Sequence, residues 1–134
     1  MSVRPKLHSY AIQVDSDGQL TQEDGGLLSF AGRWTPEHLV LAALASCVVT
    51  SLAYHARRAG LTHSASGSAS GVVGPRDDSS WGFLEIECSI DVEVDPPPKM
   101  VEALLTRAER GCFVGASLVP KPRYRWTVNG EVVR

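Results

Sequence analysis

Residues 35–60 read TPEHLVLAALASCVVTSLAYHARRAG, and this stretch decides the fold. Thr35 is placed to cap a helix, because its hydroxyl can accept a hydrogen bond from a free backbone amide. Pro36 at the first helical position gives up only an amide that has no intrahelical partner. Glu37 lies at the positive end of the helix dipole. Residues 39–53 are apolar on nearly every face, which predicts a long buried helix.

Shorter segments surround this helix. Residues 9–14, 19–23 and 27–30 predict three short strands, separated by turns rich in Asp and Gly. Residues 62–80 predict an edge strand and a loop. The strongest alternation runs through residues 81–94 and places six apolar side chains on one face: Leu84, Ile86, Cys88, Ile90, Val92 and Val94.

The C-terminal third predicts helices and a final strand. An amphipathic helix spans residues 99–110 and ends at Gly111, residues 112–118 form a further short helical stretch, and residues 124–133 form a strand that turns at Asn129-Gly130. The order of strands, helix, strands, helices and strand predicts the α+β class, with an antiparallel sheet around a long buried central helix.

Length and charge exclude several classes of protein. A chain of 134 residues predicts a single domain, residues 1–134. The formal charge of −2 gives no reason to expect nucleic acid. The N-terminus lacks the apolar segment of a secretory signal, and residues 39–53 are shorter than the ~20 needed to cross a bilayer. We therefore expect a cytoplasmic protein that does not enter membranes.

Three cysteines raise the question of thiol chemistry. Cys88 belongs to the apolar face of the alternating strand, where cysteine behaves as a small hydrophobic residue. Cys47 lies in the middle of the long helix and Cys112 follows the glycine that ends the second helix. Taken singly, each of these two is compatible with packing or with reactivity. An intracellular disulfide is more often catalytic or redox-sensing than structural.

Two motifs together resemble the OsmC/Ohr family, the osmotically inducible and organic hydroperoxide resistance proteins. The capped helix start and Ala-rich run of residues 35–47 resemble the family's first signature, which ends at its reactive cysteine. The segment Ala-Glu-Arg-Gly-Cys-Phe-Val-Gly-Ala-Ser-Leu, residues 108–118, resembles the second. The order of elements agrees over nearly the whole chain.

The resemblance implies a thiol-dependent peroxidase that reduces organic hydroperoxides without a metal, haem or flavin. It implies that Cys47 is the peroxidatic cysteine, which the peroxide oxidises, and that Cys112 is the resolving cysteine, which then reacts with the oxidised Cys47. The oxidised Cys47 would be a sulfenic acid, which Cys112 captures as a disulfide before over-oxidation. A thiol or dithiol reductant then restores both thiols by exchange.

Activation of Cys47 requires a cation, because a thiol with a pKa near 8.5 is mostly protonated at neutral pH. In the family this is an arginine of an N-terminal loop, held by the glutamate at the helix start, to which Glu37 corresponds. Here the first loop, residues 15–18, is acidic and contains no arginine. Only Arg4 and Arg33 precede the helix, and Arg33 is the candidate. Phe113 and Gly115 replace the family's Pro and Ser.

Helix geometry adds a prediction about assembly. Ten residues separate Glu37 from Cys47 by about 15 Å along a helix, with an azimuth difference of about 80°. Glu37 therefore cannot orient a cation at the Cys47 of its own helix. An antiparallel partner helix would bring the two together, and the helix's apolar surface favours an intertwined homodimer. The resemblance also implies such a dimer.

The sequence also bears on three other functions. Cys47, His38, His55 and Cys112 are metal-ligand types, but their spacing matches no metal motif. Residues 67–71 resemble the nucleophile elbow of hydrolases, but Ala69 stands at the position that requires serine, so this function is rejected. The remaining alternative is a non-enzymatic redox sensor, or an apolar-ligand-binding dimer, with the same fold and thiols.

Overall fold

The computed structural model describes residues 6–17, 19–28 and 34–134. The chain divides into two compact units, Met1–Trp34 and Thr35–Arg134. Each unit is described by itself below. The single-domain assignment therefore stays a prediction.

The smaller unit is an antiparallel meander of three strands in the order β1-β2-β3. The strands are β1 (Ile12–Val14), β2 (Leu20–Gln22) and β3 (Leu27–Leu28). Asp15 makes the first turn, where its Oδ1 accepts from the amides of Asp17 and Gln19, both at 2.9 Å. The predicted order of strands and turns is confirmed. β1 and β2 are shorter than expected, and residues 29–30 of the third predicted strand lie outside the described residues.

The larger unit contains the central helix α1 (Pro36–Arg58), which begins and ends where the sequence predicts. The Thr35 hydroxyl accepts a bond from the His38 amide at 3.2 Å, and the Thr35 amide donates to His38 Nδ1 at 3.0 Å. This reciprocal capping box satisfies two amides that the first helical turn leaves free. It also gives His38 a structural role.

The four-stranded sheet of the larger unit has the order β4-β5-β6-β7. Its strands are β4 (Thr62–Pro75), β5 (Trp81–Asp95), β6 (Arg123–Val128) and β7 (Glu131–Val132). β4 is an edge strand, as predicted. β5 and β6 pair in parallel, so this sheet is mixed and not wholly antiparallel. The reason is the crossover through the helices α2 (Val101–Arg110) and α3 (Phe113–Ser117), which returns the chain to the same end of the sheet.

A β-bulge corrects one predicted core position. Val72 pairs with Glu85 but Val73 pairs with Phe83, so Leu84 is the extra residue of β5. The bulge shifts the side-chain alternation by one position. Leu84, predicted to face the core, is 46% exposed, and Phe83 packs against the core in its place.

The core lies between the sheet and helices α1 and α2. Its largest fully buried side chains are those of Trp126, Leu44, Leu52, Ile86, Ile90 and Leu105. Trp126 Nε1 donates to Glu109 Oε2 at 2.8 Å and so ties β6 to α2. A buried indole N–H left without an acceptor would cost about 1–3 kcal/mol.

Within one chain, burial of α1 is confined to one face, which differs from the predicted burial on nearly every face. Leu44, Val48, Ser51, Leu52 and Ala56 are buried, at the spacing of one helical stripe. The opposite stripe is exposed and consists of small or weakly polar residues: Ala42, Ala43, Ser46, Thr50 and Tyr54. The length and composition of α1 would allow it to cross a bilayer, but its buried stripe makes it the core helix of this unit.

Candidate thiol site

Cys47 lies in the middle of α1, on the border between its buried and exposed stripes. Its side chain is partly buried and packs against the hydrophobic core. Its neighbour Ser46 is exposed, whereas Val48 is fully buried. Cys47 is therefore less buried than the core residues of its own helix.

Cys112 lies in the short connection between α2 and α3 and is completely buried. It is the N-cap residue of α3, and its Sγ accepts a hydrogen bond from the Gly115 amide at 3.4 Å. A sulfur in this position meets the free amide of the first helical turn. Gly111 ends α2 immediately before it, as the sequence predicts.

The fold brings Cys47 and Cys112 together. The Cys47 side chain lies close enough to Cys112 to act on its thiol, and all three cysteines are free thiols. Burial raises the pKa of Cys112, and the neighbouring Cys47 raises it further. The thiols of Cys47 and Cys112 are therefore neighbours in the fold.

Tyr124 completes the surroundings of Cys112, and sequence analysis missed it. Tyr124 is half-buried on β6, and its hydroxyl lies beside the Cys112 thiol. The donors at Cys112, the Gly115 amide and the Tyr124 hydroxyl, act to lower the pKa of Cys112 against the larger effect of burial. Its sequence context predicted only a half-buried strand residue, and the tertiary contact had no signal in the sequence.

Cys88 occupies the core, as predicted from the alternation of its strand. It is 0% exposed and lies directly beside Tyr124 in the parallel register of β5 and β6. Burial raises the pKa of the Cys88 thiol to about 11, with a smaller contribution from Cys112. The Cys88 thiol is therefore protonated at neutral pH and packs as an apolar group.

The remaining predicted site residues do not join the two thiols within the described structure. Glu37 is exposed in the first turn of α1 and takes part in no ion pair among residues 6–17, 19–28 and 34–134. Arg33 and Arg4 lie outside the described residues. The roles of Glu37 and Arg33 therefore stay predictions.

The histidines named as possible metal ligands have other contacts. His38 belongs to the capping box, and the His55 ring packs edge-on against Tyr54 with 5.0 Å between centroids. In the part of the chain that the structure describes, no three His, Cys, Asp or Glu side chains form a group that could hold a metal ion.

Comparison with protein families and solved structures identifies the family of this chain. The family model of the OsmC-like proteins matches residues 29–127, and the chain belongs to that family. A search of curated protein sequences finds no match.

Solved structures share the fold over almost their whole length. An organic hydroperoxide resistance protein from Elizabethkingia anophelis is 16% identical, with a TM-score of 0.68 over 93% of this chain and 98% of that one. An OsmC-like protein of unknown function from Vibrio cholerae is 16% identical, with a TM-score of 0.72 over 91% and 99%. The organic hydroperoxide resistance protein OhrB of Bacillus subtilis is 14% identical, with a TM-score of 0.58 over 90% and 96%. At these identities the likeness shows the α+β OsmC fold, which confirms the predicted fold class.

Proposed function

We propose that this OsmC-family protein is a thiol-dependent peroxidase that reduces organic hydroperoxides. The observation that carries the proposal is the contact between the Cys47 and Cys112 side chains, on two elements far apart in sequence. Membership of a family whose solved relatives include organic hydroperoxide resistance proteins supports the choice of substrate.

The difference in burial between the two cysteines supports their proposed roles. Cys47 is partly exposed and Cys112 is fully buried, so a peroxide reaches Cys47 first. The Cys47 thiolate attacks the outer oxygen of the hydroperoxide, the O–O bond breaks, and the alkoxide leaves as an alcohol after taking up a proton. Cys47 is then a sulfenic acid. The Cys112 thiolate attacks its sulfur, hydroxide leaves as water on protonation, and the Cys47–Cys112 disulfide forms.

Activation and assembly are part of the same proposal. Arg33, held by Glu37, would favour the thiolate of Cys47. Because Glu37 and Cys47 are about 15 Å apart along one helix, the proposal places Glu37 of one protomer near Cys47 of its partner in an intertwined homodimer. The exposed stripe of α1 supplies the surface for two helices to pack. A thiol or dithiol recycles the enzyme in the cytoplasm, and this chemistry requires no cofactor.

One observation favours the alternative, a non-enzymatic redox sensor or apolar-ligand-binding dimer with the same fold. The first turn carries Asp15 and Asp17, both exposed, where a cation would be expected. Consumption of hydroperoxide in the presence of a dithiol distinguishes the two functions. A peroxidase turns over many equivalents rapidly, whereas the alternative lacks fast turnover even though the dithiol can reduce its disulfide.

The test of the proposal is peroxide consumption by wild type and by Cys47→Ser. Wild type should consume tert-butyl hydroperoxide faster than hydrogen peroxide, because an apolar substrate suits the apolar surroundings of Cys47. Cys47→Ser should be inactive. Activity that survives this substitution would refute the mechanism.

A further inference from the structure

Two hydrogen-bond donors converge on the Cys112 sulfur from different elements. The Gly115 amide of α3 donates to Sγ at 3.4 Å, and the Tyr124 hydroxyl of β6 reaches the same sulfur. Burial is the main cause that raises the pKa of Tyr124 well above its usual range, so its hydroxyl keeps its proton at neutral pH. Tyr124 can therefore act as a donor throughout the physiological range.

The absence of a side chain at Gly115 permits this arrangement. A Cβ built on Gly115 would overlap the Tyr124 hydroxyl and would lie 3.4 Å from both Cys112 Sγ and Leu44 Cδ1. Any larger residue would push the hydroxyl away from the sulfur. Gly115 thus leaves the space in which the Tyr124 hydroxyl lies next to Cys112.

We propose that Cys112 is the leaving group when the Cys47–Cys112 disulfide is reduced, and that the Gly115 amide and the Tyr124 hydroxyl both donate to its departing sulfur. Tyr124 is then a further catalytic residue, and the reductant is directed to the Cys47 sulfur. This inference rests on the proposed function, because it concerns the recycling half of the same reaction.

Reduction of the disulfide proceeds by two successive attacks on sulfur. A thiolate of the dithiol reductant attacks Cys47 Sγ, the Cys47–Cys112 bond breaks, and its electron pair goes to Cys112 Sγ. The second thiol of the reductant then attacks the reductant sulfur that is bonded to Cys47, and Cys47 is released as a thiol. The dithiol becomes a cyclic disulfide, two electrons pass to the protein, and the two reductant protons end on the cysteines. A leaving thiol of lower pKa departs faster, so the two donors assist departure by offsetting part of the rise that burial causes in the pKa of Cys112.

Accessibility and charge both agree with attack of the reductant on Cys47 and departure of Cys112. Cys112 is fully buried, so an external thiol reaches the partly exposed Cys47 more readily. The titratable groups that face Cys112 and Tyr124 are Cys47 from α1, Cys88 from β5 and Glu109 from α2. None of these is a cation, so among the described neighbours the two donors are what favours the Cys112 thiolate.

The test compares Tyr124→Phe with Tyr10→Phe, a matched control that removes an exposed hydroxyl outside α1. The disulfide is formed with diamide, so the assay does not depend on peroxidase activity. We expect dithiothreitol to reduce the Tyr124→Phe disulfide about tenfold more slowly, since a hydrogen bond to a charged group is lost. The control should match wild type. In a Cys47→Ser background, thiolate absorbance should show that Tyr124→Phe raises the Cys112 pKa by about one unit.

A monothiol in the presence of an alkylating agent identifies the attacked sulfur. Mass spectrometry should find the monothiol on Cys47 and the alkyl group on Cys112. The inference would be overturned by the monothiol on Cys112 and the alkyl group on Cys47. It would also be overturned by equal reduction rates for Tyr124→Phe and wild type, or by failure of diamide to link the two cysteines. Failure of the peroxidase alone would leave these results unchanged, so the two proposals can fail separately.

Gly115→Ala provides a second variant should Tyr124→Phe not fold. Its methyl group displaces the hydroxyl while keeping the tyrosine, and we expect the same slowing of disulfide reduction. A Gly115→Ala disulfide that is reduced at the wild-type rate would contradict the inference.

Discussion

The Cys47 thiol in the middle of α1 contacts the Cys112 thiol at the start of α3. The contact exists because α3 packs on α1 directly after Gly111 ends α2. It joins a partly exposed sulfur to a fully buried one. This pairing is what a peroxidase with one attacking and one resolving cysteine requires.

The first prediction separates the roles of the two thiols. Cys112→Ser should reduce about one equivalent of organic hydroperoxide and then stop, because no thiol remains to capture the sulfenic acid. Mass spectrometry should find Cys47 as sulfinic or sulfonic acid. Cys88→Ala, the matched control, should keep multiple turnover. Sustained turnover by Cys112→Ser would show that resolution does not need Cys112.

The second prediction concerns alkaline pH and Cys88. Burial raises the pKa of this thiol from 9.0 to about 11. Between these values the unfolded chain loses the proton and the folded chain keeps it, so the stability present below about pH 9 is lost as pH rises towards 11. Two pKa units correspond to about 2–3 kcal/mol.

Urea unfolding of wild type and Cys88→Ala across this range measures the effect. Wild type should lose about 2 kcal/mol more free energy of unfolding than Cys88→Ala. The comparison removes the contributions of Cys112 and Tyr124, whose pKa values are also raised. Identical pH slopes would show that Cys88 is not held as a buried neutral thiol.

The third prediction concerns Ser51, one helical turn beyond Cys47. Its Oγ is buried and has no hydrogen-bond partner among the described residues. Ser51→Ala removes an unsatisfied hydroxyl and should raise the free energy of unfolding by about 1 kcal/mol. Gly111→Ala should destabilise instead, because its Cβ would lie 2.5 Å from Ser51 Oγ. Peroxide consumption by Ser51→Ala should equal that of wild type, and a loss of activity would assign Ser51 a redox role.

The fourth prediction concerns assembly. Ala43 belongs to the exposed stripe of α1, which the proposed homodimer would bury. Ala43→Arg should place an unpaired charge in that interface and convert a dimer to monomers in light scattering. Ser68→Arg, an exposed position on β4, is the control and should remain dimeric. A monomeric wild type would remove the shared-site model of Glu37 and Cys47.

The sequence predicted the elements that depend on local chemistry. Thr35 and Pro36 fixed the start of α1 because capping is a matter of neighbouring residues. The same reasoning placed the turn at Asn129-Gly130, where both residues have positive φ. The pairing of Cys47 with Cys112 came from a family resemblance and not from periodicity.

Features that depend on tertiary geometry were not predictable from the chain alone. The bulge that exposes Leu84 shows only in the pairing of β4 with β5. The parallel register that sets Cys88 beside Tyr124 depends on how α2 and α3 return the chain. The contact of Tyr124 with Cys112 follows from that register and from the space at Gly115, so no local sequence pattern predicts it.

The most direct test of the proposed function is peptide mass spectrometry of the protein after one equivalent of cumene hydroperoxide. The account predicts a single crosslink between the Cys47 and Cys112 peptides, with Cys88 still a free thiol. Cys112 and Cys47 both left as thiols, or a crosslink that contains Cys88, would contradict it.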